Sequence, residues 1–494
     1  MVPAFPARTY DFAEYPPVQN VIGGKLVDPP GASRLPVHNS RYARPMSSVP
    51  MSGAADVDAA VQAARKAQPA WGALPIRERA HVFYRLRELL VRHFDELSWL
   101  CSHENGKTYE ESRAEVDKTI ECVEFGCSLP NMAAGDLLDV SRGVSCQVAY
   151  EPLGVVAGVT PFNFPIMVPM WMLPQALVGG NAFVLKPSER VPLCSMRLAE
   201  LFRDAGLPDG VYNVVNGGQA VVEALCDHPD VAAVGFVGST RVAKLVYGRG
   251  ATAGKRMLCL GGAKNHLFLL PDADPGLTAD NIVASFTGCA GQRCMAASVL
   301  LAVGDVDPLI DAIAAKAGRI QLGKDLGPVT SAGAMARIEG YIAGAQRDGA
   351  TVRLDGRGAG PGEGWWVGPT ILDHVRPEMP SAQEEIFGPV LSIIRVATVE
   401  DALRIENASP YGNAAAVYTQ SGDVARRVME RVSAGMCGVN VGVPVPREPF
   451  GFGGWNDSAF GAGNITGWDG YRFWTRQRKV TTKWAVQKDT TWMG

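Results

Sequence analysis

The chain has 494 residues, of which 47% are hydrophobic and 20% are charged, and its formal net charge is -3. This length exceeds what one hydrophobic core supports, so we expect two or three domains. The composition excludes a disordered or fibrous protein. The small net charge also excludes the strongly basic surface that is typical of proteins that bind nucleic acid or anionic membranes.

The ten cysteines and seven histidines predict neither disulfides nor a metal site. The cysteines lack CxxC spacing and the histidines lack HxxxH or HxH spacing, so we expect reduced thiols and no bound metal. Residues 1–6 contain no basic segment followed by an apolar run, which predicts a cytoplasmic chain without a signal peptide. Residues 165–180 are apolar but fall short of the ~20 residues that span a bilayer, so they predict a buried helix.

Two surface helices are predicted near the N-terminus, over residues 55–71 and 75–100, from apolar residues at helical spacing. From about residue 153 short β-rich runs alternate with helical segments. Their near-continuous hydrophobicity indicates strands that are buried on both faces of a parallel sheet. The predicted strands occupy residues 155–159, 182–185, 211–215 and 231–237.

A second alternation of strands and helices extends from about residue 266 to residue 440. Strands are predicted at residues 267–270, 298–303, 389–396, 414–418 and 437–441, and helices at 309–319 and 423–432. The sequence therefore predicts an α/β fold with two doubly wound, Rossmann-like domains that join near residues 260–266. We assign residues 1–136 and 152–262 to the first domain and residues 263–440 to the second.

Residues 137–151 and 472–494 fit neither domain, because they contain β-rich runs at 144–150 and 479–484. Projecting hairpins of this kind often add strands to the sheet edge of a neighbouring subunit. We therefore predict a β-rich oligomerisation arm and a homodimer or homotetramer.

The segment 288–294, with the sequence GCAGQRC, places a cysteine among small residues and beside Arg293. The thiolate is the reactive form of cysteine, and a neighbouring positive charge lowers the pKa of the thiol. A thiol in this setting is a candidate nucleophile. The alternative is a cysteine that is buried as a small hydrophobic residue.

Polar residues also follow the predicted strand 155–159, in the segment TPFNFP at 160–165. Ligands of open α/β sheets bind at the carboxyl ends of the strands. Asn163 lies between aromatic residues and proline, where its amide is suited to stabilise a developing oxyanion. The alternative is a turn asparagine that bonds its own backbone.

Two further strand ends carry candidate binding residues. Lys186 and Glu189 follow the strand 182–185, where they are suited to bind ribose hydroxyls, although a helix cap with a solvated lysine is the alternative. Gly238 and Ser239 end the strand 231–237 and open a helix, whose N-terminal N–H groups favour phosphate. This turn lacks the GxGxxG fingerprint and is weak evidence alone.

Taken together and in order, five motifs resemble those of the aldehyde dehydrogenase superfamily. They are PFNFP at 161–165, KPSE at 186–189, FVGS at 236–239, GCAGQRC at 288–294 and EEIFGPV at 384–390. The resemblance extends from about residue 18 to residue 484. Within the superfamily the chain is most similar to the CoA-acylating methylmalonate-semialdehyde dehydrogenases, in the runs GAKNH at 262–266, GQRCMA at 291–296, PYGN at 410–413 and VNVGVPVP at 439–446.

The resemblance implies a role for each matching residue and assigns NAD binding to the first domain and catalysis to the second. Cys294 corresponds to the nucleophile, and Asn163 with the backbone N–H of Cys294 corresponds to the oxyanion donors. The implied cofactor residues are Lys186 and Glu189 at the adenosine ribose, Ser239 at the pyrophosphate, Glu385 and Phe387 at the nicotinamide ribose and ring, and in addition Thr160, Phe162 and Gly238. NAD is expected rather than NADP, because Glu189 would repel a 2′-phosphate.

The implied reaction proceeds through a thiohemiacetal and a thioester on Cys294. Hydrolytic members of the superfamily carry a glutamate two residues before the Gly-Gly pair, where this chain has Cys259. Attack by water needs a positioned base, whereas CoA brings its own sulfur nucleophile. We therefore expect acyl transfer to CoA, with hydrolysis to the free acid as the alternative and a non-catalytic structural homologue as a weaker one.

Two cationic residues are candidates for contact with the substrate. Arg293 is suited to pair with a substrate carboxylate, although it could equally bind backbone carbonyls. Lys118 stands where the group tends to carry arginine, and lysine lacks the bidentate fork. The segment REPF at 447–450 introduces charge where related chains are more apolar. The identity of the small aldehyde is therefore left open.

Overall fold

The computed structural model describes residues 8–484. Residues 1–7 and 485–494 lie outside the described residues. They include the N-terminal segment for which no signal peptide is predicted and the end of the predicted arm. The helices are α1 Ala54–Gly72, α2 Ile76–Arg92, α3 Phe94–Asn105, α4 Tyr109–Met132, α5 Met167–Val178, α6 Leu193–Asp204, α7 Gln219–Asp227, α8 Thr240–Thr252, α9 Pro275–Thr287, α10 Asp307–Ala317, α11 Ala332–Arg347, α12 Pro380–Gln383, α13 Val399–Asn407, α14 Gly422–Met429 and α15 Gly467–Trp474.

The strands of the first half of the chain are β1 Asn20–Ile22, β2 Lys25–Val27, β3 Arg34–Asn39, β4 Arg44–Pro50, β5 Asp136–Ser141, β6 Val144–Pro152, β7 Val155–Val159, β8 Ala182–Lys186, β9 Tyr212–Val214, β10 Val231–Val237 and β11 Arg256–Leu260. Those of the second half are β12 Asn265–Leu269, β13 Ala297–Val303, β14 Thr351–Leu354, β15 Thr370–Asp373, β16 Val390–Val396, β17 Tyr411–Gly412, β18 Ala414–Tyr418, β19 Met436–Val439, β20 Trp455–Asn456, β21 Ala459–Gly461 and β22 Thr475–Lys483.

Two large sheets confirm the predicted doubly wound α/β fold. The first has the order β2-β1-β9-β8-β7-β10-β11-β21, and its central strands β9 to β11 are parallel. The second has the order β14-β15-β16-β13-β12-β18-β19 and is parallel from β15 to β19. The loops after the parallel strands therefore gather the candidate site residues at the carboxyl edges of the sheets.

One predicted element needs correction, and one strand of the first sheet was not predicted. The helix predicted over residues 75–100 is two helices, because the backbone leaves the helical conformation at His93. This break directs the apolar faces of both α2 and α3 into the same core. The strand β21, from outside the two predicted domains, pairs antiparallel with β11 and extends the first sheet. The predicted domain boundaries themselves stay a prediction.

The predicted buried helix and the predicted arm both have counterparts in the structure. Helix α5 is buried from Val168 to Val178. In the arm, β5, β6 and β22 form a separate three-stranded sheet, in which β22 pairs with β6 along nine positions from Thr475 to Lys483. Residues 8–484 contain no helix that is both long and apolar enough to cross a membrane.

Trp474, the last residue of α15, seals the underside of the first sheet. Its side chain is fully buried, and its ring lies edge-on to Phe183 of β8 with the centroids 5.6 Å apart. A Cβ on Gly235 of β10 would lie 3.1 Å from the same indole ring. The tryptophan therefore fills a space that two parallel strands leave open.

We expect Trp474→Ala to lower the free energy of unfolding by about 3–5 kcal/mol, because it leaves a large cavity in a packed core. Trp484→Ala provides the matched control, since the side chain of Trp484 is 78% exposed. Urea unfolding followed by circular dichroism measures both variants. Equal losses in the two variants would contradict the proposed packing role of Trp474.

Candidate active site

Cys294 lies between α9 and β13, after a tight turn of left-handed backbone. The φ angles of Cys289, Ala290 and Gly291 are 51°, 53° and 69°. A Cβ on Gly291 would lie 2.1 Å from the backbone carbonyl of Gly388. Only glycine permits this approach, which brings the loop of Cys294 against the loop that follows Glu385.

Two buried asparagines fix the backbone of Cys294. The Nδ2 atoms of Asn265 and Asn413 each donate a hydrogen bond of 2.8 Å to its carbonyl oxygen. Both asparagines belong to motifs on which the resemblance rests, GAKNH and PYGN. The structure therefore gives these motifs a physical role, since they hold the main chain of Cys294 in place.

Cys294 lies where two cavities meet. The first, which we call the Ser239 cavity, has a volume of about 410 Å³ and is lined by residues that include Gly238, Ser239 and Glu385. The second, the Lys118 cavity, has a volume of about 850 Å³ and is lined by residues that include Lys118. Cys294 lines both cavities, so this residue borders two separate compartments.

Asn163 is 6% exposed and lines the Ser239 cavity together with Cys294. Its Nδ2 donates to the carbonyl of Gln292, two residues before Cys294, at 2.9 Å. An amide nitrogen carries two N–H donors, so one donor orients the group and the second is available to an oxyanion.

A buried ion pair holds the loop of Asn163. Lys107 Nζ lies 2.6 Å from Glu115 Oε2 and donates to the backbone carbonyl of Asn163 at 2.7 Å, and the two charged side chains are 1% and 0% exposed. Burial lowers the pKa of Lys107, but Glu115 more than offsets this effect and the pKa is raised. The lysine is therefore charged, and it anchors the loop of Asn163.

The predicted cofactor residues divide into two groups. Phe162, Gly238, Ser239, Glu385 and Phe387 line the Ser239 cavity, whereas Thr160, Lys186 and Glu189 lie outside its described lining. The phenyl rings of Phe162 and Phe387 meet edge to face with centroids 5.8 Å apart. Ser239 is the N-cap of α8 and its side chain forms no cap bond, which leaves the helix N-terminus suited to an anion.

Lys186 and Glu189 form an ion pair at the end of β8, with Nζ and Oε2 2.9 Å apart. Burial raises the pKa of Glu189, but Lys186 more than offsets it, so the net pKa is lowered and the group is ionised at neutral pH. The carbonyl of Lys186 accepts a hydrogen bond from the backbone N–H of Thr160 at 3.1 Å. Arg190, the next residue after Glu189, lines the Ser239 cavity, so the pair borders the cavity.

The carboxylate of Glu385 faces the Gly-Gly pair. Its Oε1 accepts the backbone N–H of Ala263 at 3.0 Å, and a Cβ on Gly262 would lie 2.4 Å from its Oε2. Burial raises the pKa of Glu385. Burial also lowers the pKa of the neighbouring Lys264 to about 7, with Glu385 opposing the change. Sequence reasoning missed this buried lysine.

The protonation state of Cys294 differs from the expectation. Burial, and then the charge of Glu385, raise the pKa of its thiol to about 12, although the N–H groups of Cys294 and Met295 and the charge of Arg293 act in the opposite direction. The lowering effect of Arg293 on the pKa of Cys294 is thus smaller than the raising effects of burial and Glu385. The thiol is protonated at neutral pH in this state of the protein.

Arg293 contacts two other side chains of the protein, and its role at a substrate carboxylate stays a prediction. Its Nε donates to Cys289 Sγ at 3.3 Å, and its Nη2 lies 3.9 Å from Glu111 Oε1. Lys118 lies in the cavity beside Cys294, as a substrate residue must, but its ammonium is paired with Glu448 and Glu121. Neither cation is an uncompensated charge.

Cys259 is fully buried on β11, where it packs in the core with Val234 and Phe236. It lies outside the described linings of both cavities. Burial raises the pKa of its thiol far above neutrality, so the cysteine cannot replace a catalytic carboxylate.

Sequence reasoning also missed Lys107 and Arg190, because their partners are distant in the chain and no local pattern marks them; it marked the charged segment 447–450 but not the partner of Glu448. His266 is buried on β12, and burial lowers its pKa to about 3, so it is neutral. Within residues 8–484, no group of three or more histidine, cysteine, aspartate or glutamate side chains is placed to hold a metal ion.

We expect Glu385→Gln to lower the pKa of Cys294, because it removes the negative charge that destabilises the thiolate. The pH dependence of alkylation by iodoacetamide, with modification of Cys294 counted by peptide mass spectrometry, should move to lower pH. Glu384→Gln is the control, since that carboxylate bonds to Tyr341. An unchanged alkylation profile in Glu385→Gln would contradict the electrostatic role.

This chain is similar to known proteins over most of its length. The model of the aldehyde dehydrogenase family matches residues 27–480. Malonate-semialdehyde dehydrogenase 1 of Geobacillus thermodenitrificans is 44% identical over 477 residues, which cover 94% of this chain and 99% of that protein.

Two solved structures have the same fold. A protein of Sinorhizobium meliloti 1021 described as a methylmalonate-semialdehyde dehydrogenase, in complex with NAD, superposes with a TM-score of 0.94 at 40% identity, over 97% of this chain and all of that one (100%). The methylmalonate-semialdehyde dehydrogenase of Oceanimonas doudoroffii gives a TM-score of 0.94 at 40% identity, over 95% and 99% of the two chains. These matches confirm the resemblance, and the chain belongs to the aldehyde dehydrogenase family.

Proposed function

We propose that the protein oxidises a small aldehyde, of the size of a semialdehyde, with NAD and transfers the acyl group to CoA. The observation that carries this proposal is the position of Cys294, which lines both the Ser239 cavity and the Lys118 cavity, the first of them together with Asn163. A nucleophile in this position has one compartment for a cofactor and another for a substrate.

Residues in and beside the Ser239 cavity fit a dinucleotide. The free N-terminus of α8 at Ser239 suits a pyrophosphate, and the ionised Glu189 beside Lys186 suits ribose hydroxyls. Glu385 and Phe387, next to Cys294, would hold the nicotinamide end. When bound, NAD accepts the hydride that leaves the substrate carbon.

The chain's own residues supply the remaining chemistry. After its proton passes to solvent, Cys294 Sγ bonds to the aldehyde carbon, and the carbonyl oxygen becomes an oxyanion. The free N–H of Asn163 and the backbone N–H of Cys294 would stabilise that charge. Loss of hydride restores the carbonyl as a thioester. Lys107 and Glu115 hold the Asn163 loop in register throughout.

Release of the acyl group favours CoA over water. The CoA sulfur bonds to the thioester carbon, the bond to Cys294 breaks, and Cys294 regains a proton. Water would need a general base, worth about 10²–10⁴ in rate, and Cys259 is buried away from both cavities. Glu385 is the carboxylate in the described lining of the Ser239 cavity and is the residue that a hydrolytic alternative would use.

We also propose that the β5–β6–β22 arm joins copies of the chain into a homodimer or homotetramer. Leu137, Leu138 and Val140 on β5 are 73%, 66% and 53% exposed. A row of apolar side chains on a projecting strand is typical of an interaction surface.

The proposed transfer is tested by incubating the full chain with NAD and propanal, with and without CoA. We expect NADH and propanoyl-CoA in equal amounts, and a turnover that rises with CoA. Cys294→Ser should form neither product. Mass spectrometry that detects only propanoate, at a rate indifferent to CoA, would refute acyl transfer while leaving aldehyde oxidation intact.

The choice of NAD is tested at Glu189. We expect wild-type kcat/KM to favour NAD over NADP, because the ionised carboxylate repels a 2′-phosphate. Glu189→Gln should reduce the ratio of kcat/KM for NAD to kcat/KM for NADP by about tenfold or more. A tenfold change corresponds to about 1.4 kcal/mol. Glu200→Gln, on helix α6, is a control that keeps the ratio. A wild-type preference for NADP would contradict the assignment.

A further inference from the structure

Lys118 on α4 lines the Lys118 cavity. Its ammonium group is paired with two carboxylates, those of Glu121 and Glu448. Its Nζ lies 2.6 Å from Glu448 Oε2 and 3.1 Å from Glu121 Oε2, and its side chain is 14% exposed. Glu448 and Lys118 come from parts of the chain 330 residues apart. The ammonium group of Lys118 is therefore already paired with two carboxylates.

The pair with Glu448 is shielded from water. The side chain of Glu448 is 8% exposed, and the Cys122 thiol donates to its Oε1 at 3.8 Å. Ion pairs are stronger where water is excluded, and a buried carboxylate that loses its counter-ion is strongly destabilising. A substrate carboxylate that took Lys118 from Glu448 would have to overcome that penalty.

The other cations of the cavity have acidic neighbours as well. Arg447 contacts Glu121, Arg87 lies 3.1 Å from Glu124, and Arg293 lies 3.9 Å from Glu111. In the described lining the basic residues are Arg87, Lys118, Arg293 and Arg447, and the acidic ones are Glu111, Glu115, Asp117, Glu121 and Glu124. The lining thus has four positive and five negative groups, and one of the five, Glu115, is already paired with Lys107.

Part of the lining of the Lys118 cavity is apolar. Cys294 shares the cavity with Phe164, Trp171, Met295 and Phe452, and the rings of Trp171 and Phe452 lie 4.4 Å apart. Such a surface favours a short alkyl chain over a charged group.

We propose that Glu448 is a specificity-determining residue. By neutralising Lys118 it makes the Lys118 cavity select small uncharged aldehydes over aldehydes that carry a carboxylate. The inference rests on the proposed aldehyde oxidation and names the substrate class of that site. Both sides of the pair fall where the sequence departs from its group, at Lys118 in place of arginine and in the charged segment at 447–450.

The test compares two aldehydes of equal length, propanal and 3-oxopropanoate, with the full chain, NAD and CoA. We expect wild-type kcat/KM to be higher for propanal. Glu448→Gln should raise the value for 3-oxopropanoate relative to propanal by about tenfold, because it frees part of the Lys118 charge. Glu448→Asp keeps the charge and should keep the wild-type preference.

Glu121→Gln removes the second partner of Lys118 and should change the ratio in the same direction, which keeps the test available if Glu448→Gln does not fold. A wild-type preference for 3-oxopropanoate, or a ratio unchanged in both glutamine variants, would overturn the proposal.

Binding gives a readout that is independent of turnover. Calorimetry with propanamide and malonamate, in which an amide replaces the aldehyde, should show weaker binding of malonamate to the wild type and a gain in Glu448→Gln. Absence of NADH formation from both aldehydes would instead contradict the proposed function, while the calorimetric comparison would still decide the role of Glu448.

Discussion

The buried carboxylate of Glu115 is the interaction on which the arrangement of the site depends. One oxygen accepts the backbone N–H groups of Ile166 and Met167 at the start of α5, and the other binds Lys107, which in turn holds the carbonyl of Asn163. A single acidic side chain on α4 thereby fixes the end of one loop and the beginning of a helix. The cost of burying two charges is offset by hydrogen bonds on every side.

Cys294 carries no charge at neutral pH in this state of the protein. Burial and Glu385 keep the thiol of Cys294 protonated, and Arg293, its neighbour in sequence, turns to Cys289 instead. A thiol held in this state is protected from oxidation, because oxidants react with the thiolate. Reactivity at this site therefore depends on a change around Cys294 rather than on a fixed neighbouring charge.

Much of the architecture could be predicted from local patterns, because parallel strands that are buried on both faces read as continuous apolar runs. The strands 155–159 and 231–237 and the helix within 165–180 were identified in this way. The break at His93 could not be, since no glycine or proline marks it and only tertiary packing explains it. Motifs located Cys294 and Asn163, whose chemistry is visible in short segments.

Contacts between distant segments were beyond the reach of pattern reasoning. The pairing of Lys118 with Glu448 joins α4 to a loop near the C-terminus, and Lys107 meets the loop of Asn163 across 56 positions. Neither spacing has a local signature, because the fold and not the sequence neighbourhood brings the partners together. The pairing of charges in the Lys118 cavity therefore follows from the three-dimensional structure and not from the sequence neighbourhood.

The last described segments of the chain complete sheets whose other strands lie in its first 260 residues. Strand β21 closes the edge of the first sheet, Trp474 seals the underside of that sheet, and β22 pairs with β6 more than three hundred residues upstream. During synthesis the first sheet consequently remains open at one edge and on one face until almost the whole polypeptide has left the ribosome. Such late closure exposes apolar surface for longer than a fold made of local contacts. Truncation near the C-terminus would thus damage the half of the protein that is made first.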